Sequence, residues 1–317
     1  MNQDLSGQMN NGEFLKYVKH DEIDYVKWDK CINEAPNSRV YALSWFLDRT
    51  AVYWNSLVWG DYDFVMPLPV KRKFGISYLF QPVYCQQLGI FPSPPAEISR
   101  KFYQKIEEKF SYADIQLNVE NIPLNDMKGI SFSLRNNFLL HTSTGYRNLN
   151  SGYSENTRRN VVRAGKNRLN YVEGIPQKDF LAFKMKNPAA KLSRQNFQNL
   201  KSIIAYSLHK GFGEIIGVYS PENNLCAAAF FCRWKNRMIY LNAVSNDEGK
   251  ELRAMFFLID RLLKNAADKN LILDFEGSMV PGIARFFQGF GAMPEVYSRM
   301  QINRLPRAIK WMKGMKG

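Results

Sequence analysis

Four residues near the C-terminal end have the types and spacing for chemistry. They are Asp274, Glu276, Ser278 and Arg285, within LILDFEGSMVPGIARFFQGFGA (residues 271–292). The stretch begins by alternating, which predicts a strand over 271–276. Leu271, Leu273 and Phe275 fall on one face, and Ile272, Asp274 and Glu276 on the other. Carboxylates at a strand end can accept a proton from an attacking amine. Two in one dry cleft repel, which raises one of their pKa values. Pro281 suits the first turn of a helix, Ile283, Phe286 and Phe287 form its apolar stripe, and Gly289 or Gly291 can end it. Ligands of open α/β sheets sit beyond the carboxyl ends of strands, where this polar turn falls. The competing reading is structural: a buried acidic strand end caps the next helix, and Arg285 pairs with Asp274 or Glu276.

The rest of the chain must position that turn. With 317 residues and a 45% hydrophobic fraction, it can build two cores, and 14% aromatic residues argue against disorder. A formal net charge of +14 favours an anionic partner: nucleic acid, an acidic lipid surface or a phosphorylated small molecule. Cys31, Cys85, Cys226 and Cys232 form no C-x-x-C pair, so neither a zinc site nor a disulfide framework is expected, and a reducing compartment fits. His20, His141 and His209 lie apart from any partner motif, which leaves little basis for histidine-centred catalysis or metal binding. No run approaches the ~20 apolar residues of a membrane span. The polar N-terminus, MNQDLSGQMNNG, has no signal pattern and reads as a frayed tail, so the expected location is cytoplasmic.

The periodicity predicts helices over 21–31 and 41–50, then strands over 54–59, 64–70 and 76–80. A helix follows Ser93-Pro94-Pro95, with Ile98, Phe102, Ile106 and Phe110 at helical spacing, and a strand over 114–119. The second half repeats this order. Phe197, Leu200, Ile204 and Leu208 stripe a helix, followed by strands over 214–219, 225–234 and 237–244. A helix striped by Leu252, Phe256, Ile259, Leu263 and Ala266 precedes the strand over 271–276, and a last strand covers 297–302. The pattern predicts an α/β (α+β) architecture with a mixed sheet in each half.

Between the halves, YSENTRRNVVRAGKNRLN (153–170) reads as a helix capped by Ser154 or Asn156. Arg158, Arg159, Arg163, Lys166 and Arg168 give it a nearly one-signed face that suits phosphates or an acidic polymer; the alternative is a solvated surface helix. The basic tail 305–317, with Ile309, Trp311 and Met312 interleaved, suits a helix on an anionic membrane. A packed C-terminal strap is the stronger reading.

The segments YSENTRRNVVRAGK, LCAAAFFCRW, RMIYLNAVS and LILDFEGS…GIARFFQGFGA, in this order, resemble the FemAB-like branch of the GNAT acyltransferase superfamily. The resemblance covers about the last half well. It implies two tandem GNAT-like units, each a mixed, mostly antiparallel sheet flanked by helices: a divergent unit over 1–148 and a second over 149–317 that begins at the basic helix. It also implies amide formation, the transfer of an acyl or aminoacyl group to an amine. The donor would be acyl-CoA or aminoacyl-tRNA acting as co-substrate, and the acceptor a cell-wall precursor in FemAB-like members. No tightly bound cofactor or metal is implied. GNAT enzymes align the donor along splayed strands, here 237–244 and 271–276 by position.

One departure stands out. The GNAT pyrophosphate loop, Q/R-x-x-G-x-G/A, corresponds here to SNDEGKELRAMFF, which has Gly249 and Ala254 but not the two-glycine spacing. Lys250 and Arg253 are the candidate donor-phosphate ligands. Within that scheme, Glu276 or Asp274 takes the amine proton, and Asn242, sharing a face with Met238 and Tyr240, polarises the carbonyl. Tyr297 protonates the leaving group. Ser278, Arg285, Arg158, Arg159 and Arg163 bind substrate. For Tyr240, core packing is the stronger reading. The opposing hypothesis is a non-catalytic GNAT-like scaffold that holds nucleic acid or an anionic membrane surface.

Overall fold

The structure is a computed structural model that describes residues 14–306 apart from 52, 74, 189–191 and 278. Ser278, the N-terminal tail and the basic tail beyond Pro306 lie outside the described residues. In chain order the elements are β1 (Leu15–Val18), α1 (Tyr25–Glu34), α2 (Ser44–Thr50), β2 (Trp54–Trp59), β3 (Phe64–Lys73), β4 (Ile76–Phe80), α3 (Ala96–Lys109), β5 (Tyr112–Gln116), β6 (Ile130–His141), α4 (Tyr146–Ser151), α5 (Glu155–Lys166), β7 (Asn170–Glu173), α6 (Gln177–Lys186) and α7 (Arg194–His209). They continue with β8 (Gly213–Tyr219), β9 (Leu225–Trp234), β10 (Arg237–Ser245), α8 (Asp247–Glu251), α9 (Ala254–Ala266), β11 (Ile272–Asp274), α10 (Pro281–Gly289) and β12 (Met293–Asn303).

Local chemistry sets most boundaries. The Asp24 carboxylate accepts the N–H groups of Val26 and Lys27 and starts α1. Ser154 accepts from Thr157 N–H at the start of α5, and Ser193 does the same for α7 through Asn196 N–H. Pro281 occupies the first turn of α10. β11 is shorter than its alternation suggests, because Glu276 (φ 57°) and Gly277 (φ 65°) turn left-handed directly after it. Arg253, also left-handed, separates the short α8 from α9.

The chain forms two compact units: residues up to Ser133 together with those from Ser298 onward, and Leu134–Tyr297. In the first, β1, β2, β3 and β4 are antiparallel neighbours, β5 runs parallel to β4, and the end of β12 pairs antiparallel with β5. In the second, β7, β8, β9 and β10 are antiparallel neighbours, β11 runs parallel to β10, and the end of β6 pairs antiparallel with β11. A crossover helix joins each parallel pair, α3 in one unit and α9 in the other. The sheet of the first unit is completed by a strand from outside its own run of sequence, the end of β12. Both units have mixed, mostly antiparallel sheets flanked by helices.

α3 buries Phe102, Tyr103 and Ile106 in the first core, with Leu68, Leu79, Ile115 and Met300. In the second, α9 buries Phe257, Leu258, Leu262 and Leu263 against Ile216, Ala229, Phe231, Met238 and Leu273. β9 is covered on both faces, so its sequence is continuously apolar. No helix among the described residues is long and apolar enough to cross a membrane.

Candidate functional site

The second unit has an open strand pair. β11 pairs with β10 only at Arg237↔Ile272, Met238↔Leu273 and Ile239↔Asp274, while β10 runs on to Ser245. Residues 240–245 thus extend beyond their parallel partner. The corresponding strand of the first unit has no such arm: β4 ends at Phe80, which is paired with Asp114.

A bulge lies at the point of divergence. Against β9, Tyr240 pairs with Phe231 and Asn242 with Phe230, so the register slips at Leu241. The slip changes which face each later side chain occupies. Met238, Tyr240 and Ala243 pack on the α9 side. Asn242 therefore does not share a face with Met238 and Tyr240, as unbroken alternation would require. It lies on the opposite face with Ile239 and Val244.

The α9 face is a closed aromatic core. Tyr240 lies edge-on to Phe275 and Phe287, those two rings stack at 4.6 Å, and the Tyr240 hydroxyl donates to Met255 Sδ at 3.2 Å. Tyr240 is a packing residue, and burial pushes its phenol pKa up.

The opposite face carries the polar groups. Asp274 is 1% exposed. Its Oδ2 accepts from Arg237 Nη1 at 2.6 Å, and its Oδ1 accepts the backbone N–H of Glu276 at 2.9 Å. Arg237 also lies 3.9 Å from Glu295, whose Oε2 accepts from Asn137 Nδ2 at 3.2 Å. This buried chain occupies the Asp274 carboxylate, and its arginine is Arg237 rather than Arg285. Glu276 emerges half-buried from the turn that Asp274 holds. Its charge reaches two groups. The Cys232 thiol is pushed up to about 12, first by burial, with Glu276 adding to the shift. The Tyr297 phenol is raised well above its ordinary value, first by burial and then by Glu276, with Asp274 contributing and Arg135 opposing. Gly277 is fixed by contact: a Cβ there would stand 2.1 Å from the Asn136 carbonyl oxygen.

The remaining sequence candidates lie apart from this chain. Arg285 is exposed, its Nε donates to the Pro281 carbonyl at 3.4 Å, and it makes no ion pair among the described residues. On α5, Arg158 donates to the Ser151 and Tyr153 carbonyls, Arg159 pairs with Glu155 at 3.5 Å, and Arg163 is exposed. Lys250 pairs with Asp247 at 2.7 Å, and Arg253 Nη1 donates to the Lys250 carbonyl at 2.8 Å. Gly249 is needed for packing, since a Cβ would fall 2.0 Å from the Cys226 carbonyl oxygen. It does not supply the bare two-glycine cradle of a pyrophosphate loop.

Arg237, Asn137 and Glu295 have no local sequence signal, because strand pairing brings them together.

No protein-family model and no curated protein matches the chain. Among solved structures it is similar to FemX, with a TM-score of 0.62 and 11% identity over 89% of this chain and 96% of that one. It is similar to a conserved protein of unknown function from Bacteroides thetaiotaomicron VPI-5482, with a TM-score of 0.57 and 10% identity over 91% and 99%. It is also similar to the C-terminal domain of a protein assigned as a lysylphosphatidylglycerol synthetase from Agrobacterium fabrum, with a TM-score of 0.53 and 8% identity over 92% and 94%. The open strand pair, the crossover helix and these likenesses agree: the chain has the fold of FemX and of that synthetase domain.

Proposed function

We propose that this protein is an N-acyltransferase that joins an acyl or aminoacyl group from an anionic activated donor to an amine. The observation that carries the proposal is the parting of β10 from β11 at Ile239, with Glu276 at the end of the shorter strand. Backbone N–H groups on the unpaired arm of β10 are free of a β11 partner and can polarise a carbonyl. The likenesses to FemX and to the lysylphosphatidylglycerol synthetase domain support a transferase in this fold; the donor class, aminoacyl-tRNA or acyl-CoA, follows from the resemblance of the sequence segments. Fold alone does not carry function, so the assignment rests on the site.

In this reaction the neutral amine attacks the donor carbonyl carbon, and a C–N bond forms. Glu276 takes the proton from the amine nitrogen. The tetrahedral oxyanion collapses, and the bond from the carbonyl carbon to the leaving sulfur or oxygen breaks. Tyr297 gives its proton to that leaving atom, and Glu276 returns one to Tyr297 through water. A phenol with a raised pKa stays protonated at neutral pH, as a general acid must. Asp274 is a positioning residue that holds Glu276 through its backbone N–H. Lys250, Arg253 and the arginines of α5 are the proposed contacts for the donor's phosphates. Arg285, exposed on α10, is a proposed acceptor contact, as is Ser278 on its sequence pattern alone. The packed Gly249 favours a donor held by cationic side chains over one cradled by bare backbone. The acceptor class includes amines of cell-wall precursors, and the α5 arginines suit work at an anionic surface.

The test compares wild type with Glu276→Gln, using radiolabelled acyl-CoA and charged tRNA as donors and a mixture of amines as acceptor. The expected result is label transfer to an amine with one donor class, abolished in the variant while the circular dichroism spectrum is unchanged. Full activity in Glu276→Gln would remove that residue from the mechanism. Failure of both donors, with salt-sensitive binding to bulk nucleic acid or anionic vesicles, would favour the scaffold reading.

A further inference from the structure

In the proposed reaction Tyr297 becomes a phenolate when it gives up its proton, and its surroundings oppose that charge. Tyr297 is 7% exposed. Glu295, two residues earlier on β12, shares its face. Burial is the first cause of the raised phenol pKa, the Glu276 charge the second, and Asp274 adds to both. Arg237 is already committed: it is held by Asp274 at 2.6 Å and lies 3.9 Å from Glu295. A buried anion among carboxylates is costly unless a cation stands close by.

β6 supplies that cation. β6 and β12 are neighbours in the sheet. Asn137 Nδ2 donates to Glu295 Oε2 at 3.2 Å, and Ser131 Oγ donates to the Gln301 carbonyl at 3.4 Å. Residue numbers fall along β6 as they rise along β12, so the strands are antiparallel and both contacts belong to one register. That register sets Arg135, two residues before Asn137, directly opposite Tyr297, two residues after Glu295. Side chains opposed in this way stand about 5 Å apart at Cβ. Phe138 and Leu140 pack on the α9 side, so Arg135 and Asn137 project to the other face, with Asp274 and Arg237. The turn that carries Glu276 lies against the same strand, since a Cβ on Gly277 would stand 2.7 Å from Asn137 Cα. Arg135 is half-buried and makes no ion pair or hydrogen bond among the described residues, and its nitrogens are not sealed in the core. Its charge acts on the phenol in the sense opposite to Glu276.

We propose that Arg135 is a positioning residue for Tyr297: its fixed positive charge stabilises the phenolate left when Tyr297 gives its proton to the leaving sulfur or oxygen, until Glu276 returns a proton. Arginine suits this work because it stays protonated at every working pH and does not compete as the acid. The charged groups that face the phenol are then Glu276 and Asp274 from β11 and its turn, Glu295 from β12, Arg237 from β10 and Arg135 from β6. This inference rests on the transferase reading for its place in the reaction, but the coupling of the two side chains is measurable without any donor.

The experiment replaces Tyr297 of the full chain with difluorotyrosine, whose phenol is more acidic and nearly the same size, and follows its ionisation by fluorine NMR. Arg135→Met is expected to raise the midpoint of that titration by about one pH unit, and Arg135→Lys to raise it less. With the natural tyrosine in place, Arg135→Met is expected to lower kcat by roughly threefold to tenfold with KM little changed, and Arg135→Lys to recover part of the loss. A midpoint unmoved by Arg135→Met overturns the proposal whatever the activity, and so does full turnover in that variant. A shifted midpoint with no transfer from any donor removes the transferase reading, and with it the catalytic use of the pair, while the charge coupling stands.

Discussion

The carboxylate of Asp274 fixes the backbone of Glu276: Oδ1 accepts the Glu276 N–H at 2.9 Å while Oδ2 is held by Arg237 at 2.6 Å. One acidic side chain is therefore spent on holding the other in a left-handed turn. Two carboxylates that look equivalent in the sequence have different work.

That division predicts opposite mutational profiles. Asp274→Ala leaves Arg237 without its short contact and the Glu276 N–H without an acceptor. Breaking a buried pair on one side costs about 3–5 kcal/mol, and the remaining contact to Glu295 favours the lower end. Urea unfolding is expected to shift accordingly. The double variant Arg237→Met/Asp274→Leu is expected to recover much of the loss, because no lone charge remains. Asp274→Ala with unchanged stability would refute the buried chain.

The turn itself is conformationally demanding. A non-glycine residue in the left-handed region costs about 1 kcal/mol. Glu276→Gly is therefore expected to keep or slightly raise the unfolding midpoint while removing turnover. Gly277→Ala is expected to do the reverse: its Cβ would meet the Asn136 carbonyl, so stability and activity should fall together. A stable, fully active Gly277→Ala would show that the turn does not set the geometry of the site.

The buried tyrosines set a stability limit at high pH. Burial is the first cause of the upward shift at Tyr103, Tyr153, Tyr240 and Tyr297. A folded pKa above the unfolded value of about 10 means that the folded state keeps a proton the unfolded chain releases. The stabilisation is fully present below pH ~10 and is lost as pH rises through the higher folded values. Chain unfolding and phenolate absorbance are expected to rise together above pH ~10. All tyrosines ionising near their ordinary value in a still-folded protein would contradict this.

Donor binding carries a salt signature. Arg159 and Arg163 are exposed on α5 and contribute little to the core. If each neutralises one phosphate of a charged tRNA, Arg159→Gln/Arg163→Gln should lower the slope of log affinity against log salt by roughly 1.4–1.8 and leave stability nearly unchanged. Filter binding across a salt series reads this directly, and an unaltered slope would move the donor off α5.

The element order was legible in the sequence because it depends on local chemistry. Ser154 and Pro281 mark helix starts through groups within one turn, and the apolar runs of β2 and β9 match their strands residue for residue. The DFEG turn was visible for the same reason: alternation ends where glycine enters. β7 and α6 were not legible, being short or weakly patterned.

The sequence alone determined most of the helices and strands, with β1, β6, α4, β7 and α6 as exceptions, and that a pair of acidic residues closes a late strand. Only the tertiary structure decided that Arg237 seals Asp274, that one extra residue at Leu241 turns Asn242 to the other face, and that β6 and β12 complete the two sheets. Periodicity and capping act over a few residues. Register, partner choice and burial are fixed by chain segments far apart, and they emerge only when the strands pair.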